Sequence, residues 1–168
     1  MVDNKVVGFE DFIKNVNPEY HEFAEQLNGF LLDSACGMKI SVAKNGYLVS
    51  YSDKNKRVIL NFVFRKNGLI ARIYGDAVNT YLDFIETLPG GMIKAIEKAP
   101  ACKRLIDFTQ CNPKCRMGYD FTLKGKHHQK CRYSCFMFPV SHENNPFIKK
   151  FLENELNARS AREMNKKG

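Results

Sequence analysis

Two Asn-Gly dipeptides, Asn45-Gly46 and Asn67-Gly68, each lie between short runs rich in β-branched and aromatic residues. Asn and Gly tolerate the positive φ angles that a tight hairpin turn requires, so each dipeptide predicts a two-residue loop between antiparallel strands. The two loops together predict a four-stranded meander over residues 38–75. With that loop placement Val42 faces Val49 and Ile40 faces Tyr51, and in the second hairpin Phe64 faces Ala71 and Phe62 faces Ile73. Side chains alternate between the faces of a strand, so these pairs form one apolar face. The reverse face then carries Lys39, Ser41, Ser50 and Ser52, with Asn61, Arg65, Arg72 and Tyr74. It reads either as the solvated back of the sheet or as a surface for a small anionic ligand built on Arg65, Arg72 and Tyr74.

Helices are expected on both sides of the meander. Asn17 as N-cap and Pro18 at the first helical position open a helix whose Tyr20, Phe23, Ala24, Leu27 and Leu31 recur at helical spacing, with Glu19 and Glu22 favouring the dipole. A shorter helix around Phe9, Phe12 and Ile13 precedes it. Asp76 is expected to cap a helix with Val78, Tyr81, Leu82, Ile85 and Leu88 on its buried stripe, and a further helix runs from Met92 to about Lys98, where Pro100 stops it. Asn145-Pro146 opens a last helix through Phe147, Ile148, Phe151, Leu152 and Leu156. Beyond Asn157 apolar residues thin out and Arg159, Arg162, Lys166 and Lys167 take over, so the helix is expected to fray there.

Five of the six cysteines fall between positions 102 and 135, four of them as the Cys-x3-Cys pairs Cys111/Cys115 and Cys131/Cys135, with Cys102 upstream. No stretch reaches the roughly 20 apolar residues that span a bilayer, and residues 1–5 do not begin a secretion signal, so a cytoplasmic protein is expected. In a reducing compartment clustered thiols favour metal over disulfides. Zinc takes four N or S ligands tetrahedrally, and Cys111-Asn112-Pro113-Lys114-Cys115 is a short turn of the kind that places two sulfurs on one ion. The second pair is ambiguous. In an extended run Cys131 and Cys135 would stand about 13 Å apart at ~3.3 Å per residue, so Cys102, Cys111 and Cys115 would be joined by only one of them. A hairpin turning at Gly125-Lys126 would bring Cys135 beside Arg116, whereas a turned or helical run lets Cys131 and Cys135 both ligate. His127 and His128 read as hairpin surface residues, and Cys36 as a structural thiol.

Four thiolates without a paired carboxylate point to a closed, structural zinc, with an iron–sulfur cluster as the alternative. Phosphate-loop, dinucleotide-binding, nucleophile-elbow and zinc-hydrolase motifs do not occur. The net charge of +8 is also localised: residues 1–100 carry 12 basic against 12 acidic residues, and residues 101–168 carry 14 against 6. Lys103, Arg104, Lys114, Arg116, Lys124, Lys126, Lys130 and Arg132 flank the cysteines with Tyr119, Phe121 and Tyr133 interleaved, and only Asp107 and Asp120 oppose them. Basic residues alternating with aromatics suit single-stranded nucleic acid.

The order helix, four-stranded meander, helix pair over residues 18–98, with the tyrosine-rich strand Tyr47–Tyr51, resembles the YdhG-like domains, a bacterial group. Cys111-Asn112-Pro113-Lys114-Cys115 followed by Gly118-Tyr119-Asp120-Phe121 and Lys130-Cys131-Arg132-Tyr133 resembles an uncharacterised bacterial cysteine-rich family. Neither resemblance implies an activity.

The expectation is an α+β fold: an antiparallel sheet of four or more strands packed by helices on one face, with a cysteine-rich zinc-binding module in the C-terminal half. Residues 1–100 form the core domain, 101–143 the module with its hairpin, and 144–168 a helix packing back on the core. The expected function is non-enzymatic binding, of nucleic acid through the basic module, or of a small molecule on the polar sheet face, or thiol and metal sensing.

Overall fold

A computed structural model describes residues 7–44, 46–65, 68–107, 109, 111–112 and 114–166. The elements are α1 Phe9–Lys14, α2 His21–Asp33, β1 Gly37–Ala43, β2 Gly46–Ser52, β3 Val58–Arg65, β4 Gly68–Ile73, α3 Leu82–Ile85, α4 Gly90–Lys98, α5 Lys103–Ile106, β5 Tyr119–Leu123, β6 Lys126–Lys130, β7 Met137–Pro139 and α6 Asn145–Lys166. The expected meander is present and gains a fifth strand, giving an antiparallel sheet in the order β1-β2-β3-β4-β7, while β5 and β6 form a separate hairpin.

Both predicted registers are displaced in the same sense. Val42 pairs with Tyr47 and Ile40 with Val49, and Phe62 pairs with Ala71 and Phe64 with Leu69. Each glycine stands at positive φ and opens the returning strand, Gly46 paired with Ala43 and Gly68 with Arg65, so each loop lies one residue earlier than the Asn-Gly rule places it. Both glycines are also closely approached: a Cβ on Gly46 would come within 3.0 Å of the Phe64 ring, and one on Gly68 within 2.6 Å of the Tyr20 hydroxyl. Asn45 and Asn67 lie outside the described residues. The slip moves every cross-strand partner by two, so no side chain changes face.

The apolar face is therefore the expected one. Val49, Tyr51, Phe62, Ala71 and Ile73 are buried, while Val42, at the open edge, is 74% exposed. Phe12 of α1 stacks on Phe62 at 5.6 Å, Tyr51 donates to Asn28 Oδ1 of α2 at 2.7 Å, and Phe151 of α6 lies 6.3 Å from Phe138. Each such fully buried aromatic contributes about 1.5–3 kcal/mol over leaving it in water.

Helix boundaries differ from the sequence reading where tertiary partners take over. Asn17 makes no side-chain cap, and Pro18–Tyr20 is a 3₁₀ turn leading into α2. Asp76 caps nothing: Val78–Thr80 is 3₁₀, α3 is a single turn, and the Asp76 carboxylate pairs with Arg132 and Arg159. The last helix does not fray at Asn157 but runs to Lys166, because Arg159 is anchored from every side. Its Nε donates to Glu155 at 2.6 Å, its Nη1 to Asp53 at 3.0 Å and the Arg57 carbonyl at 3.2 Å, and its Nη2 to the carbonyls of Val58 at 3.0 Å and Tyr74 at 2.9 Å. Glu155 itself is fully buried and also accepts from the Ala77 amide and the Tyr81 hydroxyl. Among the described residues no helix is long and apolar enough to cross a membrane.

Candidate metal centre

α4 stops at Ala99, whose extended backbone is the one expected before Pro100. The chain then runs beside β6: Ala101 bridges Lys130, the Cys102 amide donates to the Gln129 carbonyl at 2.9 Å, and the Cys131 amide to the Pro100 carbonyl at 2.9 Å. This short antiparallel pairing sets Cys102 opposite Gln129, so Cys102 and Cys131 fall on one face two rungs apart. On the other side of β6, Gly118 approaches so closely that a Cβ there would lie 2.1 Å from the Lys130 carbonyl and 3.0 Å from Cys102 Sγ. Gly118 uses that closeness to donate its amide to the Cys102 sulfur at 3.3 Å.

Cys111 and Cys115 sit on the loop between α5 and β5. Asn112 shapes it: its side-chain oxygen accepts from the Lys114 amide at 2.9 Å and its carbonyl from the Cys115 amide at 2.9 Å. Arg104 of α5 clamps the far end by donating to the Cys115 carbonyl. Pro113 lies outside the described residues. The Cys115 thiol is pushed up first by burial, then by a hydrogen bond with Cys111 and by the neighbouring sulfurs of Cys111, Cys131 and Cys102. Four thiols thus share one neighbourhood, although among the described residues no three His, Cys, Asp or Glu side chains stand in ligating positions.

β6 ends at Lys130, and the run from Cys131 onward is a turn, the alternative in which Cys131 and Cys135 can both ligate, with the Cys135 amide on the Cys131 carbonyl at 3.0 Å and the Cys131 sulfur among the influences on the Cys135 thiol. The hairpin turns at Lys124-Gly125, not Gly125-Lys126, pairing Leu123 with Lys126 and Tyr119 with Lys130, so Cys135 does not come beside Arg116 through strand register. The Cys135 side chain is fully buried in the same core as Phe136 and Phe138, and burial raises its thiol pKa strongly. Cys36 is likewise buried in the core.

The histidines divide between the faces of the hairpin. His127 is exposed and bonds Asp120 at 2.6 Å, which together with Gln129 holds the Asp120 carboxyl low. His128, expected at the surface, is buried with its ring 5.4 Å from Phe121, and desolvation lowers its pKa, aided by Lys130 and Lys126. Both acids of this segment are engaged, Asp120 as above and Asp107 with the Thr109 amide and hydroxyl.

The basic surface is smaller than the composition implies, and less aromatic. Arg132 is buried, ion-paired to Asp76, with its guanidinium 5.0 Å from the Tyr74 ring. Lys130 donates to the carbonyls of Glu97 and Ala99 at 2.8 and 3.0 Å. Tyr119 and Phe121 are core residues, the Tyr119 hydroxyl accepting from the Gly75 amide at 3.0 Å, and only Tyr133 of the three aromatics is exposed. Lys103, Lys114, Arg116, Lys124 and Lys126 remain exposed.

Comparison with family models, with curated proteins and with solved structures yields no match to this chain. Its chemistry therefore rests on its own residues.

The polar sheet face does not gather its three candidates. Lys39, Ser50, Asn61, Arg72 and Met137 form one row across all five strands. Tyr74 is buried against Tyr133, its hydroxyl donating to Asn61 Oδ1 at 2.6 Å, and Asn61 donates to Ser50 at 2.6 Å. Arg72 reaches the same Asn61 oxygen only at 3.5 Å, and Arg65 is four residues along β3 at the hairpin end, about 13 Å away by strand rise. What the sequence reading missed is the Arg159 cluster. Its one local signal is the Glu155/Arg159 spacing of four on a helix.

Proposed function

We propose that the protein is a non-catalytic binding protein in which Cys102, Cys111, Cys115 and Cys131 close around a structural zinc ion and hold a basic loop for nucleic acid. What supports this reading is that Cys102 and Cys131 lie on the β6 side and Cys111 and Cys115 on a separately anchored loop, near enough for the other three sulfurs to raise the Cys115 thiol, although not in ligating positions among the described residues. The donor set fits zinc in kind: four sulfurs, no carboxylate left over, and a backbone amide already directed at one sulfur. Cys135, deeper in the core and one turn from Cys131, is the alternative to Cys131 in the set. Such a site contributes folding energy directly, because it ties the loop carrying Cys111 and Cys115 to the hairpin.

The partner reading follows from exposure. Three exposed cations, Lys103, Lys114 and Arg116, lie on or beside the cysteine loop and two more, Lys124 and Lys126, at the far turn of the β5–β6 hairpin, whereas two of the three aromatics that suggested base stacking are buried. Binding then runs through phosphates and carries little sequence preference. Two measurements test it. Elemental analysis should find about one zinc per chain, with four thiols unreactive in the native protein; a metal-free protein with those thiols freely alkylated would sink the centre. Filter binding of single-stranded oligonucleotides should weaken as salt rises, with a slope of about −0.7 per phosphate contacted. No binding at low salt removes the nucleic-acid partner and leaves the zinc reading intact.

A further inference from the structure

A second set of charged groups lies where α6 meets the β2–β3 loop, around a cavity of about 320 Å³, within the size range of small-molecule sites. Every lining residue is polar. The acids there are already held: Asp53 accepts from Arg159 and from the amides of Asn55 and Arg57, and Asp76 gives Oδ1 to Arg132 and keeps Oδ2 3.4 Å from Arg159. Glu163 pairs with Lys54 at 2.8 Å and accepts from Asn55. Arg159 is saturated by protein oxygens, as described above.

Two guanidinium groups on the cavity wall are not so engaged. Arg57 is exposed, and its backbone is fixed at both polar groups, the amide on Asp53 at 3.1 Å and the carbonyl under Arg159 at 3.2 Å. Its head group makes no hydrogen bond or ion pair among the described residues. Arg162 makes one hydrogen bond, to the Asp76 carbonyl at 3.3 Å, which leaves the rest of its donors unengaged. Along the cavity wall Arg57, Arg159 and Arg162 face the carboxylates of Asp53, Asp76 and Glu163, so the lining is balanced in charge while the unused donors belong to Arg57 and Arg162. A planar guanidinium with unused donors beside an enclosed polar volume is matched to a carboxylate or phosphate oxygen pair.

We propose that this cavity binds a small molecule through a carboxylate or phosphate group held between Arg57 and Arg162. The site does not rest on the zinc reading: no cysteine lines the cavity, and its one link to the cysteine region is the pairing of Asp76 with Arg132, the residue after Cys131. The test is thermal unfolding and isothermal titration of the full chain with inorganic phosphate and with succinate, against potassium chloride at equal ionic strength. A saturable rise in melting temperature with one anion and not with chloride is expected; a phosphate response assigns a phosphate ester, and a succinate response a carboxylate. Arg57→Gln and Arg162→Gln should each weaken the affinity about tenfold, the loss expected for one charged hydrogen bond. Both residues are at the surface, so the variants fold, and Lys150→Gln, elsewhere on α6, should leave the response unchanged. No saturable response to either anion, or an unaltered affinity in the Arg57/Arg162 double variant, overturns the proposal.

Discussion

Arg159 and the cysteine centre each collect groups that are costly to leave unpaired, yet they are completed differently. All five N–H donors of Arg159 meet protein oxygens drawn from β3, the β2–β3 loop, the segment after β4 and its own helix. Among the described residues the thiols of Cys102, Cys111, Cys115 and Cys131 have one backbone amide donor, that of Gly118, while Cys115 also donates to the Arg116 carbonyl at 3.3 Å; Asn112 and Arg104 shape the loop carrying Cys111 and Cys115. One cluster is closed by the protein itself. The other brings thiols into one neighbourhood without setting three of them in ligating positions among the described residues, and the proposed metal is what would complete it.

The comparison breaks most severely at Arg159. Replacing it with Met leaves the carboxylates of Asp53, Asp76 and Glu155 without their shared cation, and a loss of about 3–5 kcal/mol in urea denaturation is expected, as for other half-removed buried pairs. An unchanged midpoint would show that the cluster contributes nothing net. Next comes the contrast between the two cysteines of the second pair. Cys135→Ser should cost about 1–3 kcal/mol by placing a hydroxyl in the apolar core, with zinc content kept, whereas Cys131→Ser should lose the metal. Equal zinc in both variants would move the centre away from Cys131.

Smaller effects sharpen the contrast. Tyr74→Phe removes the donor to Asn61 on the covered part of the sheet face and should cost about 0.5–1.5 kcal/mol without altering zinc or oligonucleotide binding. The least is the pH response of His128. Its folded pKa is lowered by burial, with Lys130 and Lys126 adding and Glu97 opposing, so the unfolded chain binds the proton more readily. Stability is then full above the ordinary histidine pKa of about 6.5 and falls as pH drops below it. In His128→Phe that part of the acid-side loss should vanish; an identical pH profile for both proteins would show that the burial does not act on titration.

Much of the scaffold is legible along the chain. Phe23, Ala24, Leu27 and Leu31 announce the buried face of α2, and the apolar alternation in β2 to β4 assigns the core face correctly even though both hairpins are slipped. It does so because a displacement of partners by two preserves the pleat. Exact partners were not legible, since the Asn-Gly rule places each loop one residue later than the strands pair. At the candidate centre, the Cys111/Cys115 turn is local and visible in sequence. That Cys102 stands beside the Cys131 end of β6, and that Cys135 lies deeper in the core, depends on where β6 stops.

The sequence alone determined the features that repeat over a few residues: helix stripes, strand faces, hairpin existence, the grouping of thiols and the basic bias of the C-terminal half. These are short-range because they follow from backbone periodicity and from which residues tolerate a turn. Tertiary structure decided the remainder: which thiols meet, which basic and aromatic residues are withdrawn into the interior, and that Asp53, Asp76, Glu155 and Arg159 form one cluster. Those outcomes turn on contacts between residues up to 106 positions apart, where burial makes an unpaired charge or amide costly and so selects the partner that composition cannot name.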